Sequence, residues 1–280
     1  MNNYGLKSTS RPLTITVVMA SYSGDDPEWL FLAGESVFTQ TRKPEELIVV
    51  FDGPVGSAHR KAVKRLALIG KVVEIQLAEN VGPGLARHRG ILGASNEIIA
   101  IMDADDICRP DRFASQLSIL RNGLSHVVGG WISEFHLFPG DMNELRKVPE
   151  SHDAILAFAR KRTPMNNVSA MFFKDAYLDT GGYGDMRANE DYDLYVRMLI
   201  KGYIFYNIQK VLVDVRGGSS MTSRRGGVFQ VPDDAKMFFK MYQNGFISFL
   251  EALFNTGVRA LARTLPNALR KALYQIFLRD

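Results

Sequence analysis

The run Ile98-Ile99-Ala100-Ile101-Met102-Asp103-Ala104-Asp105-Asp106 sets five apolar residues directly before a cluster of three carboxylates. A short, continuous apolar run that ends in turn chemistry predicts a strand buried on both faces. Ile15-Thr16-Val17-Val18-Met19-Ala20 and Leu47-Ile48-Val49-Val50-Phe51 have the same character, and residues 72–77 read as a further strand. Ser21-Tyr22-Ser23-Gly24-Asp25 closes the first of these and Asp52-Gly53-Pro54 the second. Helical stretches lie between them. Pro27 starts one, with Leu30, Leu32, Ala33, Val37 and Phe38 apolar. A Lys/Arg-rich amphipathic helix is expected over residues 57–69, and another follows Gly82-Pro83-Gly84. This alternation predicts an α/β fold with a mostly parallel central sheet covered on both faces. In such sheets ligands lie beyond the carboxyl ends of the strands. Asp52 and Asp103 both fall at such ends.

Beyond residue 110 the pattern is mixed. Helices are expected over residues 112–121, 150–160 and 190–201, the last with Leu194 and Met198 four apart on one face. One or two strands are expected over 127–138, one over 168–173 and one over 211–215. Gly181-Gly182 marks a turn, and the Gly-, Ser- and Arg-rich residues 216–229 predict a mobile loop. A soft boundary falls near residue 125, between two halves rather than two independently folding domains.

A chain of 280 residues with 46% hydrophobic composition buries an ample core without disulfides. The single cysteine, Cys108, excludes an intramolecular bridge and points to a reducing, cytoplasmic setting. The net charge of +4 favours anionic partners without choosing among nucleotides, lipid phosphates and nucleic acid. Nucleic acid is not expected, because the basic residues are dispersed and not interleaved with aromatics. No secretory leader or membrane span is expected either, since the first apolar run is short and no stretch of eighteen apolar residues occurs.

Asp103, Asp105 and Asp106 crowd negative charge, which costs free energy unless a cation or strong donors offset it. Hard divalent ions prefer oxygen donors and bridge to phosphate oxygens. Carboxylates spaced by one residue at a strand end can face one ion. An Asp-rich loop that caps the helix near Pro110 fits the same residues equally well, and Asp111 reads as a helix-start residue. Asp52-Gly53 is by itself a turn signal, though its placement parallel to that of Asp103 favours a functional role. Asn80, Gly82, Gly84, Arg87 and Arg89 form a third cluster. Its glycines permit close backbone approach. Arg87 can reach a phosphate from the following helix while Arg89 points elsewhere, and a solvated helix face accounts for either. Neither GxGxxG after the first strand nor GxxxxGK[ST] is present. Glu190-Asp191 and Asp193 open an amphipathic helix, where acidic residues are favourable on their own account.

In their order and spacing these motifs resemble the family 2 glycosyltransferases, the large inverting group with the GT-A fold. The likeness is closest to bacterial enzymes that build O-antigen or capsular polysaccharide. It rests on Val18-Met19-Ala20-Ser21-Tyr22, Glu46-Leu47-Ile48-Val49-Val50-Phe51-Asp52-Gly53, and Asn80-Val81-Gly82 with Ala86-Arg87. It continues through Ile101-Met102-Asp103-Ala104-Asp105-Asp106 with Pro110 and Arg112. Gly181-Gly182-Tyr183 and then Asn189-Glu190-Asp191-Tyr192-Asp193-Leu194 complete it.

The resemblance implies a nucleotide-sugar-binding half over 14–125 and an acceptor-binding and catalytic-base half over 126–230. These lie between a flexible lead-in (1–13) and a C-terminal helical, membrane-associating segment (231–280). Ala20 and Tyr22 would line the nucleoside pocket, with Asn80 in the same donor site. Asp52 would accept from the base, usually uracil, and Arg87 would lie near the base or diphosphate. Asp103 would contact the ribose or the metal-bound diphosphate, Asp105 would be the metal ligand of the DxD motif, with Ala104 between them, and Asp106 would flank the donor sugar. Asp191 would be the catalytic base, with Glu190 beside it. The implied cofactor is Mn2+ or Mg2+, held by Asp105 and Asp103. Two departures stand out. His88 follows Ala86-Arg87 where many relatives have Asn, and no histidine occurs after His152 to match the usual downstream metal ligand. Metal affinity would then rest on Asp105, phosphate oxygens and water. Cys108 is expected to be a small buried residue, because these metals prefer oxygen.

The expected activity is transfer of a hexose or N-acetylhexosamine from a UDP-sugar to a lipid-linked or soluble saccharide acceptor, at the inner face of the bacterial plasma membrane. A nucleotidyltransferase acting on a sugar phosphate and a non-catalytic nucleotide-sugar- or polysaccharide-binding protein are the alternatives. For the C-terminal segment, Arg259, Arg263, Arg270, Lys271 and Arg279 accompany Leu261, Leu265, Leu269, Leu273, Ile276 and Phe277, with Pro266 as a break. A basic amphipathic helix of this kind can lie along an anionic leaflet. Packing against the catalytic domain, which residues 246–254 also allow, is the equal alternative.

Overall fold

The computed structural model of the chain describes residues 12–184, 186, 188–217 and 230–264. The lead-in up to residue 11, the Gly/Ser/Arg-rich stretch over 218–229 and residues 265–280 lie outside the described residues. Leu13, assigned above to the lead-in, is buried in the core.

The first half alternates as expected: β1 (Ile15–Ser21), α1 (Pro27–Phe38), β2 (Glu46–Phe51), α2 (Ser57–Leu66), β3 (Val72–Gln76), α3 (Pro83–Gly93) and β4 (Ile98–Asp103). The β1–β2, β1–β4 and β2–β3 pairs are all parallel. Helices cover both faces, so the apolar side chains alternate into two cores. Leu30, Ala33 and Val37 of α1 and Leu66 of α2 pack with Val17, Met19, Leu47 and Val49. Ala86 and Ile91 of α3 pack with Val18, Ile48 and Val50 on the other face. Asp26 accepts the Glu28 N–H at 2.8 Å and so caps α1 ahead of Pro27.

The second half comprises β5 (Ile107–Cys108), α4 (Arg112–Arg121), β6 (Val127–Phe135), β7 (Glu144–Arg146), α5 (His152–Ala159), β8 (Met171–Phe173), α6 (Lys174–Asp179), α7 (Glu190–Ile200), β9 (Phe205–Arg216), α8 (Val231–Gln243) and α9 (Phe249–Thr264). All strands join one sheet of order β3-β2-β1-β4-β8-β6-β9-β5, with β7 beside β6. The β4–β8, β6–β8, β6–β7 and β5–β9 pairs are antiparallel and β6–β9 is parallel. This mixed part continues the parallel part without a break, and residue 125 lies between α4 and β6 within it.

Several boundaries differ from the expected ones. The strand expected over 168–173 is reduced to Met171–Phe173. Before it, a 3₁₀ turn over Asn167–Ser169 is held by the Ser169 hydroxyl, which donates to Asn166 O at 2.8 Å. The strand expected over 211–215 starts earlier, at Phe205. Polar Asn207, Gln209 and Lys210 disguise it, but Asn207 is buried and its amide donates to Pro149 O and Pro164 O at 2.7 and 3.1 Å. The extended run over 127–138 ends at Phe135, because the Asp141 carboxylate accepts the N–H groups of His136, Leu137 and Phe138 and turns the chain. Helix α2 stops at Leu66, short of residue 69. Arg259 and Arg263, counted above as lipid-facing cations, instead turn inward onto the buried Asp234.

Gly90 brings α3 onto the sheet. A Cβ there would stand 2.6 Å from Val18 Cγ1 and 2.9 Å from Val50 Cγ2. Neither valine can retreat in a close-packed interior. Gly90→Ala is expected to cost about 1–3 kcal/mol, read as a lower urea midpoint. An unchanged midpoint would show that α3 has room to spare.

Candidate active site

Because β1, β2 and β4 are parallel and in step, they end together. Ala20 pairs with Val50 on one side and with Asp103 on the other. Asp52 follows β2, and its N–H donates to Ser21 O at 2.7 Å. Asp52 is buried, and its two carboxylate oxygens accept the N–H groups of Val81 (2.7 Å) and Gly82 (3.0 Å). The Asn80 amide donates to Asp52 O at 3.3 Å. Gly53 has φ of +89°, and a Cβ there would stand 2.9 Å from Asn80 N. Asp52-Gly53 is therefore a true turn that also grips the loop leading into α3. An ionised carboxylate offers about four acceptor sites, so Asp52 keeps acceptor capacity beyond its two backbone bonds. Tyr22, just past β1, is exposed beside the same strand ends and lies over Gly24.

Arg87 is buried, whereas Arg89 on the same helix is exposed. The solvated-face alternative therefore holds for Arg89 alone. Arg87 Nη2 donates to Asp103 Oδ1 at 2.5 Å, and Nη1 lies 3.7 Å from Glu190 Oε1. Burial works against its charge, but Asp103, with Tyr183 and Glu190, outweighs burial and keeps it protonated. Gly84, one turn earlier, makes room for Glu190, since a Cβ at 84 would stand 2.8 Å from Glu190 Cγ. Burial and the adjacent Asp191 charge push the Glu190 carboxyl up to about 7, with Arg87 holding it down. Asp191 is half-buried, and its Oδ1 accepts the Tyr192 N–H at 2.8 Å. Asp193 is turned away into a buried pair with Arg197 at 2.8 Å.

The turn after β4 separates its three carboxylates. Asp103 and Asp105 are partly exposed, while Asp106 is buried and its Oδ1 accepts the Arg216 N–H at 2.8 Å. Burial, and then the charges of Asp105 and Asp103, push the Asp106 carboxyl well above the ordinary range. Asp103 and Asp105 thus offer two oxygen donors from one strand end. That suits a hard cation that completes its shell with phosphate oxygens and water. Among the described residues no group of three or more His, Cys, Asp or Glu is arranged to hold a metal ion. Beneath the turn, buried Arg112 donates to Ile101 O at 2.8 Å and to Cys108 Sγ at 3.2 Å. Cys108 is buried and its thiol pKa is raised by that burial, as befits a packing residue. Asp111 stands at the α4 N-cap position but makes no cap bond, and pairs instead with Lys210.

His88 is a brace. Its Nδ1 lies 2.7 Å from the Tyr177 hydroxyl, which accepts the Tyr183 N–H at 3.0 Å and so fixes the Gly181-Gly182-Tyr183 turn. Burial, then the Arg89 charge, lowers its pKa.

Arg216, Trp29 and Asp25 also stand at this end of the sheet and were not singled out in the sequence. Arg216 Nε donates to Asp105 O at 3.1 Å, and its guanidinium lies 4.2 Å from the Trp29 ring centre and 4.6 Å from that of Phe135. The Asp25 carboxylate accepts the Tyr22 N–H at 3.0 Å. The only signal for Trp29 is a tryptophan on the polar side of an amphipathic helix. Arg216 opens a Gly-rich stretch, which hides it.

The model of glycosyl transferase family 2 matches residues 16–179. A Haemophilus influenzae protein named an uncharacterized glycosyltransferase is 34% identical, over 95% of this chain and 100% of its own length. An Escherichia coli UDP-Gal:alpha-D-GlcNAc-diphosphoundecaprenol beta-1,3-galactosyltransferase is 32% identical, over 94% of this chain and 96% of its own. Among solved structures, S. aureus TarS 1-349 in complex with UDP-GlcNAc shares the fold, with a TM-score of 0.64 at 16% identity over 95% of this chain and 76% of that one. Against the longer TarS chain the present one covers 46% of its length.

If Arg87 favours the charged form of Glu190, removing it must move that titration upward. Carboxyl 13C NMR should place the Glu190 midpoint near 7 in the native chain and higher in Arg87→Met. A midpoint in the ordinary glutamate range, or one that does not rise in the variant, would refute this electrostatic coupling.

Proposed function

Because the chain belongs to glycosyl transferase family 2, we propose that it is an inverting glycosyltransferase that moves a hexose or N-acetylhexosamine from a UDP-sugar to an undecaprenyl-diphosphate-linked saccharide in bacterial surface polysaccharide synthesis. The observation that carries this function is the convergence of Asp52, Arg87, Asp103 and Glu190 at the ends of parallel strands. The name of the Escherichia coli relative, which specifies UDP-Gal and a GlcNAc-diphosphoundecaprenol, supports the donor and acceptor class.

In this proposal Asp52, Tyr22, Ala20 and Asn80 hold the nucleoside. Arg87 supplies a fixed positive charge beside the diphosphate, where buried charges act strongly. A divalent cation, Mn2+ or Mg2+, held by Asp105 and Asp103, supplies further charge to the leaving group when bound. Asp106, through the Arg216 amide, keeps the turn in shape beside the donor sugar. Asp191 takes the proton of the acceptor hydroxyl as its oxygen bonds to the anomeric carbon. The bond from that carbon to the diphosphate breaks on the opposite side, through oxocarbenium character. One displacement inverts the centre, so an α-linked donor gives a β-linkage. Burial and the adjacent Asp191 charge raise Glu190 toward neutrality, which sets it apart from an ordinary surface carboxylate.

The C-terminal helices give the membrane-facing part of the proposal its residues. Phe249, Leu250, Leu253, Phe254, Val258 and Leu261 are exposed along one stripe of α9, while Ala252 and Asn255 face inward. No helix among the described residues is long and apolar enough to cross a membrane. We propose that this stripe lies on the bilayer beside the lipid-linked acceptor.

Asp191→Asn should leave UDP binding intact while transfer falls by about 10²-fold or more. Asp105→Ala should remove the response of turnover to Mn2+, Mg2+ and chelator. Undiminished transfer in Asp191→Asn would take that residue out of the mechanism. Flotation with anionic liposomes should be strong for the native chain and weak when Leu250, Leu253 and Phe254 are all replaced by Ser. Equal flotation of the two would discard the proposed lipid contact.

A further inference from the structure

Asn189 is the only non-glycine residue with positive φ among the described residues, at φ 61° and ψ 24°. The left-handed conformation costs an L-residue roughly 1–2 kcal/mol, although asparagine tolerates it best. Asn189 occupies the N-cap position of α7, yet its side chain makes no cap bond to that helix. Instead its Nδ2 donates to Asp234 Oδ1 at 2.9 Å. Asp234, in the first turn of α8, is 1% exposed. The same oxygen accepts from Arg259 Nη1 at 3.0 Å, and the other oxygen accepts from Arg263 Nε. Arg259 Nη1 also lies 3.4 Å from Asn189 Oδ1, so both ends of the amide are engaged. The Arg259 guanidinium stands 5.8 Å from the Tyr192 ring centre and 5.4 Å from that of Phe238. Burial alone would raise the Asp234 carboxyl, yet the bonds and charges of Arg263, Arg259 and Asn189 bring it below its ordinary value.

The residues that follow Asn189 are Glu190 and Asp191, and they have little slack. Glu190 sits over Gly84, where even a Cβ would be 2.8 Å from its Cγ, and 3.7 Å from Arg87. A change in φ at Asn189 would swing both acids together. Buried ion clusters contribute little net stability over a well-packed apolar core, so stability alone does not account for a cluster aimed at one strained residue.

We propose that Asp234, clamped by Arg259 and Arg263, is a positioning residue: it holds Asn189 in the left-handed conformation and thereby aims Glu190 and Asp191 at the site formed by Arg87 and Asp103. The proposal rests on the assignment of Glu190 and Asp191 as the catalytic pair. It makes the C-terminal hairpin of α8 and α9 a working part of the site.

The test compares Asp234→Asn, Asn189→Ala, Asn189→Gly and the double variant Asp234→Asn/Asn189→Gly. Glycine adopts positive φ freely and alanine resists it. Transfer in Asp234→Asn and in Asn189→Ala should fall about 10²-fold in kcat, the scale of a catalytic group displaced by an ångström, with donor KM little changed. Asn189→Gly should lose far less, and adding it to Asp234→Asn should restore much of the rate. A purely structural cluster predicts the reverse pattern: kcat, KM and Tm decline together in Asp234→Asn, and glycine rescues nothing. Either of those results overturns the proposal. Should Asp234→Asn fail to fold, the Asn189 pair leaves the cluster's charges intact, and equal kcat for glycine and alanine overturns it. Amide hydrogen exchange at Tyr192 and Asp193, whose N–H groups donate to Asp191 Oδ1 and to Asn189 O, adds a readout free of the catalytic assignment. Protection lost in Asn189→Ala and kept in Asn189→Gly supports the positioning role even where Asp191→Asn retains transfer. Identical protection in the two sinks it.

Discussion

A guanidinium taken out of water must be met by acceptors, and best by carboxylates, because an unpaired buried charge costs several kcal/mol. Arg87 is met from two directions: by Asp103 at the end of β4, and by Glu190 at the start of α7. The first belongs to the parallel part of the sheet and the second to the helix that packs beneath the mixed part. One ion cluster therefore ties the two halves of the chain together where the strands end. Much of the local architecture can be seen as what this requires. Gly90 lets α3 lie close enough to the sheet to deliver Arg87, and Gly84 clears the space that Glu190 enters. Asp52 fixes the loop from which α3 starts.

The carboxylates around Arg87 are not equivalent, and burial sorts them. Asp106 is enclosed and drawn to a backbone amide, whereas Asp103 and Asp105 reach the surface. Glu190 is pressed toward neutrality beside Asp191. Groups of one chemical type, within a few residues of one another, thus acquire different jobs from their surroundings alone. Arg216 contributes from the far strand, held between two aromatic rings. It holds the Asp105-Asp106 end of the turn, while Arg87 holds Asp103.

The parallel half was legible in the sequence because its three central strands are buried on both faces, which leaves runs such as Ile98-Ile99-Ala100-Ile101-Met102 with no polar interruption. Strand-end position then separated Asp52 and Asp103 from other acidic residues. The mixed half was harder because its polar residues are satisfied by distant backbone. Asn207 looks like a loop residue until Pro149 O and Pro164 O are seen to accept from it. The Asp141 carboxylate, which ends the extended run after β6, likewise acts through three backbone amides that no periodicity reveals. The inward turn of Arg259 and Arg263 was hidden for a related reason. Their partner Asp234 lies on another helix, and helical spacing shows what shares a face but not what the face meets. Arg216 and Trp29 were missed because nothing local distinguishes an arginine or tryptophan beside this turn from any other.

The fit of Gly84 against Glu190 reaches beyond this one molecule. The two residues are far apart in the chain, yet the side chain of one occupies the volume that any side chain of the other would need. Neither position can drift alone during divergence. A larger residue at 84 is tolerable only with a shorter acid at 190, and a shorter acid would leave Arg87 to Asp103 alone. Three sites are thereby bound into a single unit of inheritance, and sequences that descend from this one should change there together or not at all.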